Sequence, residues 1–180
     1  EFFRVAIPYK DIAFRMTDGS DERYNLPAAN LKQRIIKLMG NHYNSRLVKV
    51  NQEAQLVKIT GFIGKPEAAR KTRGEQYLFV NGRFFKHPYF HHAILNAYSG
   101  LIAENSFPAY FLFFDIDPEK IDVNIHPTKT EVNFQDNQPV YAMLLSAVKK
   151  AIGEHNLTPT LEFDSEAGFK DYFPKDKEVN

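Results

Sequence analysis

A lysine just beyond a proline-terminated strand is the best-placed charged group in this 180-residue chain. In I-D-V-N-I-H-P-T-K-T-E-V-N-F, residues 121–134, apolar Ile121, Val123 and Ile125 alternate with polar Asp122, Asn124 and His126. That period of two predicts a half-buried strand. Pro127 has no N–H to donate and restricts His126 before it, so the ladder stops there. Lys129 then leaves on a short loop before Val132 and Phe134 resume an apolar face. A cation held at a strand end is placed to meet an anion; the competing reading is one solvated lysine among many. His126 reads as a loop support through a backbone hydrogen bond, beside Asn124 and Pro127, with a proton shuttle as the alternative.

A second group is basic. Lys65, Arg70, Lys71, Arg73, Arg83 and Lys86 fall within 22 residues, against Glu67 and Glu75. Such a stretch can track phosphates without reading bases, or it can be a solvated polar loop. His87, His91 and His92 share a helix start with Pro88, and no carboxylate is spaced to complete a metal site, so they read as capping or surface residues. Asp115, Asp117, Glu119 and Asp122 read as strand ends and turns rather than magnesium ligands. No serine–histidine–acid arrangement is recognisable, and the absence of cysteine excludes disulfides, thiolate zinc sites and thiol catalysis.

The elements that must position these groups are legible in order. Phe2, Val5 and Ala6 suggest the last turns of a helix ended by Pro8 and Tyr9. Asp11–Thr17 alternates, with Ile12, Phe14 and Met16 on one side, and pairs through the turn at 17–21 with Arg23–Leu26. Asn30 is an N-cap for a helix bearing Leu31, Ile35 and Leu38, stopped by Gly40. Strands follow at 47–50 and 56–63, where Gly61 marks a bulge or a close approach. After the polar connection 64–76, strand 77–80 meets 83–85 through Asn81-Gly82, the strongest two-residue hairpin signal. A helical stripe runs from Phe90 to Leu101, then a nearly continuous apolar strand spans 109–116. Val140, Met143, Leu144, Ala147, Val148 and Ala151 form the last helix. This is an α/β chain of α+β type: one mixed sheet with helices packed mainly on one face.

Charge is uneven. Residues 154–180 carry a net −4 and residues 1–153 a net +5, so the folded part tolerates a polyanion partner. Periodicity dissolves beyond residue 156, which predicts a weakly ordered acidic tail over 157–180. With no signal peptide and no apolar run of about 20 residues, the expected location is cytoplasmic.

Two stretches carry a family resemblance: V-N-I-H-P-T-K-T-E-V-N-F (123–134) and G-E-Q-Y-L-F-V-N-G-R-F-F (74–85). Both resemble signature segments of the MutL-type DNA mismatch-repair proteins, in the expected order and spacing, over roughly residues 1–157. The resemblance implies the two-layer fold of a ribosomal protein's second domain, with a left-handed βαβ crossover. It implies a helix remnant over 1–10, a transducer domain over 11–156, and a linker beginning at 157. It also implies that a GHKL-type ATPase domain precedes this one, since no Asp-x-Gly-x-Gly or glycine-rich phosphate loop is present here. The chain alone would be no enzyme and would hold no cofactor; ATP and magnesium belong to the full-length protein. Lys129 corresponds to a lysine reaching the γ-phosphate, and Arg83 to an arginine contacting DNA, with Lys86, Arg73 and Lys71 as neighbours. Implied partners are DNA bound weakly and without sequence preference, the protein's own ATPase domain, a MutS-like sensor with downstream repair proteins, and a second copy. The alternatives are the same domain of a topoisomerase B-type GHKL machine, or a stand-alone nucleic-acid-binding module.

Overall fold

The computed structural model of the chain describes residues 1–123 and 130–157. A short helix α1 (Phe2–Ala6) leads to a hairpin of β1 (Phe14–Asp18) and β2 (Asp21–Leu26). Helix α2 (Leu31–Met39) starts with a full capping box: Gln33 N–H donates to Asn30 Oδ1 and the Gln33 side chain accepts from Asn30 N–H. Next come β3 (Leu47–Glu53), β4 (Lys58–Gly64), β5 (Gln76–Val80) and β6 (Arg83–Phe85), then α3 (Pro88–Ala97) and β7 (Tyr110–Asp115). Short strands β8 (Ile121–Val123) and β9 (Val132–Phe134) precede α4 (Asn137–Leu157).

The mixed α/β class and the mixed sheet are as expected from the sequence. Its five strands run in the order β3-β4-β7-β5-β6, with β5 and β7 parallel and their other neighbours antiparallel. Strand alternation sorts the side chains into two cores. Leu78, Val80, Phe85, Leu112 and Phe114 lie beneath α3 and α4. Phe79, Phe111, Leu47 and Ala109 face Ile35 and Leu38 of α2 and Ala6 of α1. The longest helices thus share one face, while α1, α2 and the β1–β2 hairpin cover the other.

Three details depart from the sequence reading. The strands do not form one sheet: β1–β2 and β8–β9 are separate two-stranded pairs. In β1–β2 the expected apolar side is largely unburied, Ile12 being 54% and Met16 38% exposed, so the hairpin packs only through residues such as Phe14, Tyr24 and Leu26. The α3 stripe ends early: Gly100 at φ +75° follows the helix, and Leu101 is left 47% exposed.

The hand of the β5–α3–β7 connection follows from chirality. Tyr110 turns its side chain into the core beneath α3 while its N–H donates to Glu75 O, just before β5. For an L-residue, this puts β5 to the right of β7 when both run upward and are viewed from α3. The chain therefore crosses leftward over that face, which is the rarer left-handed crossover.

Candidate functional site

The hairpin β5–β6 turns on Asn81 and Gly82, both at positive φ (47° and 81°), the pattern of a type I′ turn. Asn81 also fixes the tip to the end of β7. Its Nδ2 donates to Ile116 O at 2.9 Å, its Oδ1 accepts from Ile116 N–H at 3.1 Å, and its own N–H donates to Phe114 O. Arg83, the next residue after this rigid turn, is exposed. Alternation along β6 buries Phe85 in the α3–α4 core and turns Phe84 the other way, where the Arg4 guanidinium covers its ring at 4.3 Å.

The basic connection before β5 sorts its cations by their partners. Arg70 exchanges backbone hydrogen bonds with Phe107, and its Nη1 lies 3.3 Å from Glu75 Oε1. Its Nη2 donates to His42 Nε2 at 2.7 Å, which makes that nitrogen the acceptor of the ring. Tyr43 donates its hydroxyl to the other oxygen of Glu75, and burial followed by Glu75 pushes the Tyr43 pKa well above its usual value. Arg70 is thereby a structural charge. Arg73 instead lays its guanidinium over the Phe107 ring at 4.5 Å and remains exposed, as does Lys71.

A cleft of about 460 Å³ opens between α1, the β5–β6 hairpin and the start of α3. Arg73 and Lys86 line it together with Arg4, which the sequence reading missed. Nothing local marks Arg4, because only the fold carries α1 to the edge of β6. Arg83 and Lys71 do not line this cleft.

The three histidines point to different neighbours. His87 N-caps α3, its Nδ1 accepting from Phe90 N–H at 3.3 Å while its ring stacks on Phe90. His91 Nδ1 meets the Tyr110 hydroxyl at 2.7 Å, and His92 Nδ1 meets the Tyr141 hydroxyl at 2.8 Å. No group of three potential metal ligands occurs among the described residues. Burial holds the pKa of His87 below its usual value; burial and then Arg73 do the same for His91. The sign is that of a base kept neutral by folding. The unfolded chain takes up protons near pH 6.5 that the folded chain still refuses, so stability falls as pH drops through about 6.5 and is indifferent above it. We expect the unfolding midpoint to decline between about pH 7.5 and 5.5, and His91→Gln to flatten that decline. A variant with the parental pH profile would remove His91 as the cause.

The strand pair β8–β9 frames the remaining candidates. Val123 pairs with Val132, and Lys86 N–H donates to Thr130 O at 2.8 Å beside a Lys86–Glu131 bridge. Thr130 is therefore tied to the end of β6. Asn124, His126, Pro127 and Lys129 themselves lie outside the described residues, as does the tail from 158.

Comparison with known proteins is consistent across three measures. Residues 35–153 match the family model described as "DNA mismatch repair protein, C-terminal domain". The chain is 46% identical over 180 residues to the DNA mismatch repair protein MutL of Flavobacterium johnsoniae, covering 99% of this chain. It is 44% identical over 167 residues to MutL of Christiangramia forsetii, covering 93% of this chain. It spans only 28% and 27% of the length of those two relatives. Among solved structures, the N-terminal domain of a DNA repair protein aligns with TM-score 0.71 at 18% identity, over 87% of this chain and 52% of that one. The Aquifex aeolicus MutL ATPase domain complexed with ADP aligns with TM-score 0.50 at 13% identity, over 79% of this chain and 44% of that one. At such identities these two likenesses speak for the fold alone.

Proposed function

Because the chain belongs to the MutL family of DNA mismatch repair proteins, we propose that it is the transducer of a longer ATP-driven repair protein. In this reading the ATPase domain lies elsewhere in that protein and binds ATP with magnesium. Lys129 reaches from this domain to the γ-phosphate, and Asn124, His126 and Pro127 hold its loop. A point cation there stabilises charge on the phosphoryl oxygens and senses whether that phosphate is present. Arg83, with Lys71, Arg73 and Lys86, contacts the DNA backbone, which gives affinity without sequence preference. This domain performs no chemistry of its own. It relays nucleotide state to DNA, to a second copy closing around it, and to a MutS-like sensor with downstream repair proteins, in the cytoplasm near the nucleoid. No described helix is long and apolar enough to cross a membrane.

One observation carries the reading. The strand that presents Arg83 leads into Lys86, whose N–H donates to Thr130 O, the residue that follows Lys129 in the sequence. A nucleotide signal and a DNA contact would share one short, rigid element. The test uses the full-length protein. Lys129→Ala should depress ATP turnover by at least tenfold, about 1.4 kcal/mol of transition-state stabilisation. Arg83→Glu should weaken DNA binding and lower its salt dependence. Parental turnover in the first variant, or parental affinity in the second, removes that residue from the scheme.

A further inference from the structure

We propose that the cleft between α1, the β5–β6 hairpin and the start of α3 is a seat for a phosphate group, separate from the hairpin tip at Arg83. Its chemistry stands on the geometry of the cleft, and only the source of the phosphate rests on the DNA reading above. Three cations from three elements line one concavity: Arg4 from α1, Arg73 from the basic connection and Lys86 from the end of β6. No carboxylate among the described residues lines it. Among the described residues Arg4 Nη1 lies 3.1 Å from a Glu1 oxygen, and the Glu1 side chain is 79% exposed, so the pair is weak.

Both guanidiniums lie over aromatic rings, Arg4 over Phe84 at 4.3 Å and Arg73 over Phe107 at 4.5 Å. A guanidinium seated over a ring keeps edge N–H groups that can donate to phosphate oxygens. The ordering entropy of two long side chains is thus partly met before any ligand arrives. Lys86 adds a point charge, and its own backbone is already fixed by Thr130. Three positive charges around about 460 Å³ repel one another until an anion enters. They exceed what one carboxylate neutralises, which favours a phosphate over an acidic side chain.

The seat is distinct from the hairpin tip because Phe84 and Lys86 line the cleft whereas Arg83, at the tip, does not. The phosphate belongs either to a DNA backbone or to a small phosphate ligand, and the two are separable.

The experiment compares the full-length parent with Lys86→Gln, the double variant Arg73→Gln/Lys86→Gln, and Arg83→Glu. Duplex DNA affinity is measured across a salt series, and thermal unfolding is measured with and without millimolar inorganic phosphate or pyrophosphate. For a backbone phosphate, the double variant binds DNA about tenfold more weakly at moderate salt and loses about one from the log–log salt slope. For a small ligand, phosphate raises the unfolding temperature of the parent and not of the double variant, while the DNA slope is unchanged. Lys86 is exposed, so Lys86→Gln should fold as the parent does and give part of either effect, which separates ligand loss from misfolding. The seat is refuted if the cleft variants match the parent in both arms. If Arg83→Glu alone weakens DNA binding, that refutation leaves the DNA reading standing. If the parent binds no DNA, the DNA reading falls and the phosphate arm alone decides. Stabilisation of the parent by poly-glutamate in place of phosphate also overturns the proposal.

Discussion

Gly61→Ala should destabilise the chain by about 3 kcal/mol or more, a large share of the 5–15 kcal/mol typical of a folded domain. Gly61 sits at φ +130°, a backbone region that L-residues rarely adopt. A Cβ there would lie 2.0 Å from Phe111 O and 3.1 Å from Phe111 C. Both atoms belong to the backbone of β7, the middle strand of the five, so neither can swing aside. The pairing of β4 with β3 and β7 runs unbroken through Gly61, which settles the sequence alternative of bulge or close approach in favour of the latter. Gly64 in the same strand is the control. Its added Cβ would meet Ala109 Cβ at 3.5 Å, an ordinary contact, so Gly64→Ala should cost less than about 1.5 kcal/mol. Denaturant midpoints at unchanged m-value test this, and equal midpoints for the two variants would contradict the close approach.

Replacing Arg34 by methionine is the second large effect, about 3–5 kcal/mol. Arg34 is 1% exposed on α2. Its Nη1 donates to Ala6 O at 3.1 Å, and its Nη2 lies within bonding distance of Lys10 O, Ile12 O and Pro27 O at 2.9, 2.7 and 3.0 Å. One guanidinium therefore gathers the carbonyls of the segment after α1 and of the end of β2. Methionine fills much of the volume and supplies no donor, so the carbonyls of Ala6, Ile12 and Pro27 lose this partner, while Lys10 O still accepts from Ala29 N–H. Lysine keeps the charge but cannot fork to separated acceptors, so Arg34→Lys should recover less than half of the loss. The loosening should be local at first. Amide exchange over residues 6–29 should rise more than exchange in β7, and uniform acceleration would count against this role.

What the sequence disclosed depended on how local the physics is. Asn81-Gly82 and the Asn30 N-cap are settled within four residues, and both appear as expected; the part of Gln33 in that cap comes from the structure. The stripe of the last helix is likewise local, with Val140, Leu144, Ala147, Val148 and Ala151 all buried. Arg34 was invisible because it stands next to Ile35 in a good helical pattern, while its acceptors are 7 to 28 residues away. The β1 alternation misled for the opposite reason: the period was real, but none of the described elements covers Ile12 and Met16. The cleft was half legible. Arg73 and Lys86 stood out as part of a charge cluster, whereas Arg4 joins them only once α1 is laid beside β6. Arg70 belonged to the same cluster by charge alone, and its pairing with Glu75 and His42 takes it out of the free basic surface.

The short step from β9 to α4 has a mechanical meaning. Phe134 is wedged among Phe85 and Phe90, with ring centroids 5.5 and 4.9 Å away, and α4 begins at Asn137. From there Val140, Leu144, Val148 and Ile152 seat it at regular intervals along its length. A helix of 21 residues measures about 30 Å. It serves as a ruler laid along the core: its two ends, at Asn137 and residue 157, stand about 30 Å apart, on a bearing that the contacts down to Ile152 do not allow to wander.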